Sequence, residues 1–134
     1  MLDFDVNWLA VISAAVADMI LGSLWYSPVL FGKQWMKAIG KKPEELGSPT
    51  NAMIVATIVS LIFAFVLAVV LVSLQVTTLV GGAGVGLLLW FGFVLTNVAL
   101  GLAFEGGNRT VGGLFLSYRL VAFLLAGAIL GLWL

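Results

Sequence analysis

Four runs of apolar residues, about 6–26, 51–75, 82–104 and 113–134, alternate with three short connections. Each approaches or exceeds the roughly 20 residues that a helix rising about 1.5 Å per residue needs to cross about 30 Å of hydrocarbon. The pattern predicts an all-α membrane protein, a four-transmembrane-helix up-down bundle that forms a single domain over residues 1–134. Trp25-Tyr26 followed by Ser27-Pro28 sets a membrane surface after the first run. Trp and Tyr favour the headgroup level, and proline disfavours helix at the residue before it. Trp8 marks the opposite surface, one span away.

The first connection carries a different period. Phe31, Trp35 and Ile39 recur every fourth residue, and Lys33, Lys37 and Lys41 keep the same spacing on the other side. This predicts a short interfacial amphipathic helix over about 30–40, ended by Gly40 and Pro43. Such a helix can fix the first helix pair, or serve as a gate or docking surface for anionic lipid. Ser48 to Asn51 offers N-caps to the second span, and the uncharged Val76–Val80 connection predicts an antiparallel hairpin of spans two and three. Gly82 with Gly86, and Gly127 with Gly131, have the four-residue spacing that lets helix backbones approach closely, within one protomer or between protomers.

Polar residues inside the runs change the picture further. Counted from the surface at Ser27, Asp18 lies roughly 13 Å deep, Arg119 roughly 10 Å and Asn97 roughly 12 Å. Ser60 and Thr96 fall in the same slab. Every span thus contributes a polar group at one level, where hydrocarbon penalises it unless it faces the bundle or water. The expectation is an Asp18–Arg119 pair, held through the guanidinium fork and completed by Asn97, Thr96 and Ser60. As a satisfied lock the layer sets helix register; as a pathway it lets Asp18 take up a proton or cation. A second cluster, Tyr26, Ser27, Trp35, Glu105 and Arg109, is expected at the mouth, with Glu105 seeking Arg109, Lys33 or the hydroxyls of Tyr26 and Ser27. Bracing the 27–40 segment against the bundle is one use of that cluster, and an access site for an ion or solute is the other.

Charge gives orientation. Lys33, Lys37, Lys41, Lys42 and Arg109 lie in the first and third connections, and the termini and second connection carry no Lys or Arg. The positive-inside rule then puts connections 27–50 and 105–112 in the cytoplasm and both termini outside. The acidic residues before the first run and the length of that run favour a retained span over a cleaved signal peptide. Composition closes other routes. With 63% hydrophobic and 9% charged residues the chain is not an ordinary soluble domain. With no Cys, no His and scattered carboxylates, no disulfide, metal site or cofactor is expected. A net charge of zero and no basic arm give no footprint for nucleic acid. No nucleophile–base set is present, so no catalytic residues and no enzyme activity are expected.

Several stretches resemble a known family. Asn7-Trp8, Leu24-Trp25-Tyr26-Ser27-Pro28 with Phe31-Gly32 and Trp35-Met36, Phe104-Glu105-Gly106, and the closing Gly127-Ala128-Ile129-Leu130-Gly131-Leu132-Trp133 are similar to domain of unknown function family 1761. That family consists of small four-helix integral membrane proteins of prokaryotes. The resemblance covers nearly the whole chain and implies a multi-pass protein of the plasma (inner) membrane, without an assigned activity. Two functions stand open: a small transporter or channel for an ion or small solute, and a structural or accessory protein binding lipid or another membrane protein. Four short spans leave little enclosed space, so the expected partners are the lipid bilayer and further copies of the chain, as a dimer or trimer.

Overall fold

A computed structural model describes residues 1–133 and contains five α-helices. They are α1 (Trp8–Trp25), α2 (Gly32–Ile39), α3 (Thr50–Ser73), α4 (Leu79–Glu105) and α5 (Arg109–Trp133). Four of them, α1, α3, α4 and α5, are long and apolar enough to cross a membrane. Each sits on one of the predicted runs, and α2 sits on the predicted amphipathic segment.

Local chemistry explains the helix ends. Asn7 caps α1, its Oδ1 accepting from the amides of Leu9 and Ala10 at 3.1 and 3.2 Å. Thr78 starts α4 earlier than the glycine run suggested, because its hydroxyl accepts from the Gly81 amide at 2.9 Å. Asn108 does the same for α5, accepting from Thr110 and Val111 at 2.8 and 3.2 Å. Gly40 and Gly106 end α2 and α4 in the left-handed conformation that glycine adopts without strain. The expected Ser, Thr or Asn cap on α3 is not used; Pro49 precedes the helix without a side-chain cap.

The four long helices are not equivalent. α1, α3 and α5 form a triangle, and α4 packs almost wholly on α5. The expected hairpin of spans two and three is therefore corrected: α3 and α4 are joined by a short connection but meet at few points. An apolar groove of about 450 Å³, lined by Phe63, Leu89, Phe93 and Phe123, opens where they part. The glycines explain the choice. A Cβ on Gly82 would strike the Gly127 carbonyl, one on Gly127 the Gly82 carbonyl, one on Gly86 the Phe123 carbonyl, and one on Gly131 the Thr78 carbonyl. All four glycines are spent on a backbone-to-backbone seam within the protomer. Trp90 extends the seam by donating its indole N–H to the Leu116 carbonyl at 3.1 Å. Beyond it, Trp90–Leu95 winds as a π-helix before the α-helix resumes.

Burial divides the triangle into two halves. On α1 the buried residues are Ala10, Val11, Ala14, Ala15 and Asp18, with none after Asp18. On α3 they begin at Ser60 and continue to Leu71, and on α5 Ala126 and Leu130 complete the same core. Alanines let these three helices approach closely. On the side of the termini the bundle is sealed. Towards the 27–49 connection it is open, and Asp18 and Ser60 stand at the boundary.

Candidate functional site

Asp18 is 2% exposed, although it lies in an apolar span. Its carboxylate gathers donors from two other helices. Arg119 of α5 donates through Nη1 to Oδ1 at 3.0 Å, Tyr118 donates to the same oxygen at 2.7 Å, and Ser60 of α3 donates to Oδ2 at 2.8 Å. Both oxygens are engaged, and among the described residues no buried side-chain polar atom lacks a partner. The guanidinium makes one hydrogen bond to the carboxylate instead of the expected two. Its planar face is instead enclosed by rings, with Phe63, Tyr118 and Phe123 centroids at 4.6, 5.1 and 5.6 Å. These contacts stabilise a partly desolvated cation, whose side chain is 12% exposed.

Of the predicted layer, the structure brings Asp18, Arg119 and Ser60 together and leaves two members apart. Thr96 and Asn97 are exposed and bond back to their own helix, Thr96 to the Gly92 carbonyl at 2.7 Å and Asn97 to the Phe93 carbonyl. Two physical reasons combine. α4 stands outside the triangle, and the wide turns of Trp90–Leu95 shift every later side chain from the phase that uniform α-helix gives. Tyr118 takes the missing place. Gly22 admits it, since a Cβ there would lie 2.8 Å from the phenol oxygen. A phenol beside Arg119, deep in an apolar run, was the signal in the sequence: it needs a partner as the charges do.

Above Asp18 lies a cavity of about 900 Å³. Ser60 and Tyr118 form its floor, Gly22, Ser23 and Tyr26 line the α1 wall, and Trp35 of α2 covers it. Tyr26 stands edge-on to Trp35 at 5.3 Å and to Tyr118 at 5.9 Å, so two residues of the predicted mouth do meet there. The α3 wall is incomplete. Every residue from Asn51 to Val59 is exposed, so the first half of α3 leans away from the bundle and leaves the cavity open beside it. No Asp, Glu, Lys or Arg lines the cavity.

The remaining mouth residues do not converge. Glu105 and Arg109 are exposed, and among the described residues Glu105 finds none of its expected donors. Glu105 is the last residue of α4, and Gly106 ends that helix in the left-handed conformation. Ser27 bonds to the Leu24 carbonyl at 2.7 Å and so caps its own helix end. The brace expected of Glu105 is made by Asn108, which donates to the Ala38 carbonyl at 3.1 Å. Trp25 ties the end of α1 to α5, donating its indole N–H to the Leu114 carbonyl at 3.1 Å. Among the described residues no group of three or more His, Cys, Asp or Glu gathers where it could hold a metal ion.

No curated protein and no solved structure matches this chain. The family described as Protein of unknown function (DUF1761) matches residues 9–131, which takes in all but the outermost residues of the long helices, the cavity and the Asp18 cluster. By that match the chain belongs to the DUF1761 family.

Proposed function

We propose that this is an integral membrane protein that takes up a neutral, mainly apolar small molecule from the bilayer into the cavity above Asp18. One observation carries the reading: a space of about 900 Å³ with no charged lining, open beside the bare first half of α3. Pockets of this size hold small molecules, and an uncharged lining disfavours ions, whose burial costs several kcal/mol or more without a counter-charge. The opening faces the level at which a span meets lipid, so a membrane-dissolved compound reaches it without crossing water. The lysines of α2 and the following turn support an orientation with the cavity in the cytoplasmic half of a prokaryotic plasma membrane and both termini outside.

Within this reading the Asp18 cluster is a lock that fixes the closed end of the cavity. Commitment of the carboxylate to Ser60, Tyr118 and Arg119 supports a fixed floor over a carrier of protons or cations. The cavity is built within one protomer, so binding needs no second copy.

The test is equilibrium binding of Nile red, a neutral apolar dye, to the protein in lipid nanodiscs. Saturable emission above that of empty nanodiscs is expected, and Ala56→Trp, which fills the α3 side of the cavity, abolishes it without changing thermal stability. Emission equal to empty nanodiscs, or unchanged saturable binding in Ala56→Trp, contradicts the proposal.

A further inference from the structure

The floor of the cavity has a fixed hydrogen-bond sense. A carboxylate only accepts, so the hydroxyl protons of Ser60 and Tyr118 are both committed to Asp18, at 2.8 and 2.7 Å. Each of these hydroxyls has one proton. What remains of each is lone pairs, and both residues line the cavity. Ser60 is 4% exposed, so only a small part of its surface meets the cavity.

Arg119 removes the alternative arrangement. A hydroxyl beside a neutral acid could turn its proton outward and accept from the acid instead. Here the guanidinium, which only donates, meets at 3.0 Å the same Oδ1 that Tyr118 meets, so the carboxylate is surrounded by donors and both hydroxyls point their protons at it. Asp18 therefore acts through two hydroxyls to make the deep end of an otherwise apolar cavity a pair of acceptors.

From this geometry we infer that the deep end recognises a hydrogen-bond donor, so that the ligand class is a neutral amphiphile with a hydroxyl head and an apolar tail. The inference rests on the cavity being a binding site for membrane-dissolved molecules. The head sits against Ser60 and Tyr118, and the tail leaves along the open side of α3 among Ala52, Met53 and Ala56. A compound of the same length that only accepts meets lone pairs with lone pairs and leaves the two oxygens unpaired, which disfavours it.

The experiment compares hexadecanol with hexadecyl methyl ether as competitors of Nile red on the wild-type protein in nanodiscs, each corrected for its partition into the same lipid. The alcohol is expected to displace the dye at a concentration about tenfold lower than the ether. In Ser60→Ala, which removes one of the two acceptors, the preference should shrink to about threefold. Equal displacement by both, or stronger displacement by the ether, overturns the donor assignment and leaves the binding cavity standing. Displacement by neither while the dye still binds overturns the assignment as well, since the cavity then rejects the chain itself. Failure of the dye to bind at all counts against the cavity reading. The wild-type comparison decides the matter even if Ser60→Ala does not fold.

Discussion

Asp18 and Arg119, 101 residues apart in the chain, meet at 3.0 Å inside the bundle, where their side chains are 1% and 12% exposed. The pair ties the first span to the last. Ser60 adds the second span to the same carboxylate, so one side chain fixes the relative height of three helices. Above it the helices part and below it they close. The pair therefore marks where packing ends and the cavity begins.

Tyr118 belongs to this lock, and the polar pair on α4 does not. Tyr118→Phe removes one of three donors to Asp18 and should lower unfolding stability by about 1–2 kcal/mol in mild detergent. Thr96→Val and Asn97→Leu should each change it by less than about 0.5 kcal/mol. A larger loss in the α4 variants than in Tyr118→Phe would return them to the layer.

The glycines of α4 and α5 divide by whether they lie in the seam. Gly82→Ala and Gly127→Ala push a methyl into backbone across the seam and should each cost about 1–3 kcal/mol. Gly84, two residues from Gly82, has no neighbour within 4 Å of its Cβ position. Gly84→Ala should be neutral or gain about 0.5 kcal/mol from reduced backbone entropy. Thermal unfolding of the three variants checks the order, and equal losses would contradict an intramolecular seam.

Asn108 has two tasks, capping α5 and holding the Ala38 carbonyl. Asn108→Ala should cost about 1 kcal/mol and raise amide hydrogen exchange in α2. Asn108→Asp keeps the cap and loses the donor to Ala38. It should leave α5 protected while α2 exchanges faster. Unchanged exchange in α2 for both variants would contradict the tie through Ala38.

Topology is open to direct labelling because the chain has no cysteine. The proposed orientation, with both termini outside, predicts that an impermeant maleimide applied to intact cells modifies Leu2→Cys and spares Lys37→Cys. The reverse pattern would invert the orientation.

The spans and the amphipathic helix were legible in the sequence because each depends on local composition and period. Asp18 and Arg119 were legible as a pair because an isolated charge in hydrocarbon costs too much to leave unpartnered. Depth was readable by counting at a constant rise, and azimuth was not. The π-helix at Trp90–Leu95 broke the phase for Thr96 and Asn97, and nothing in the Trp90-Phe91-Gly92-Phe93 stretch announces it. Glu105 was misplaced for a related reason: a charge at a helix end can face water at little cost, so pairing was optional there. The glycine spacing predicted a close seam but carried no information on which helix lies across it. The cavity was invisible, because the residues from Asn51 to Val59 look as apolar as those that follow, and only their packing partners are missing.

The claim on which the rest depends is that Asp18 is a paired, buried lock. A double-mutant cycle on unfolding stability tests it most directly. The account predicts that Asp18→Leu, which leaves the Arg119 guanidinium without its carboxylate, loses about 3 kcal/mol. Asp18→Leu combined with Arg119→Leu should recover most of that loss, because two apolar side chains of similar volume suit the site. Losses that simply add in the double variant would contradict it.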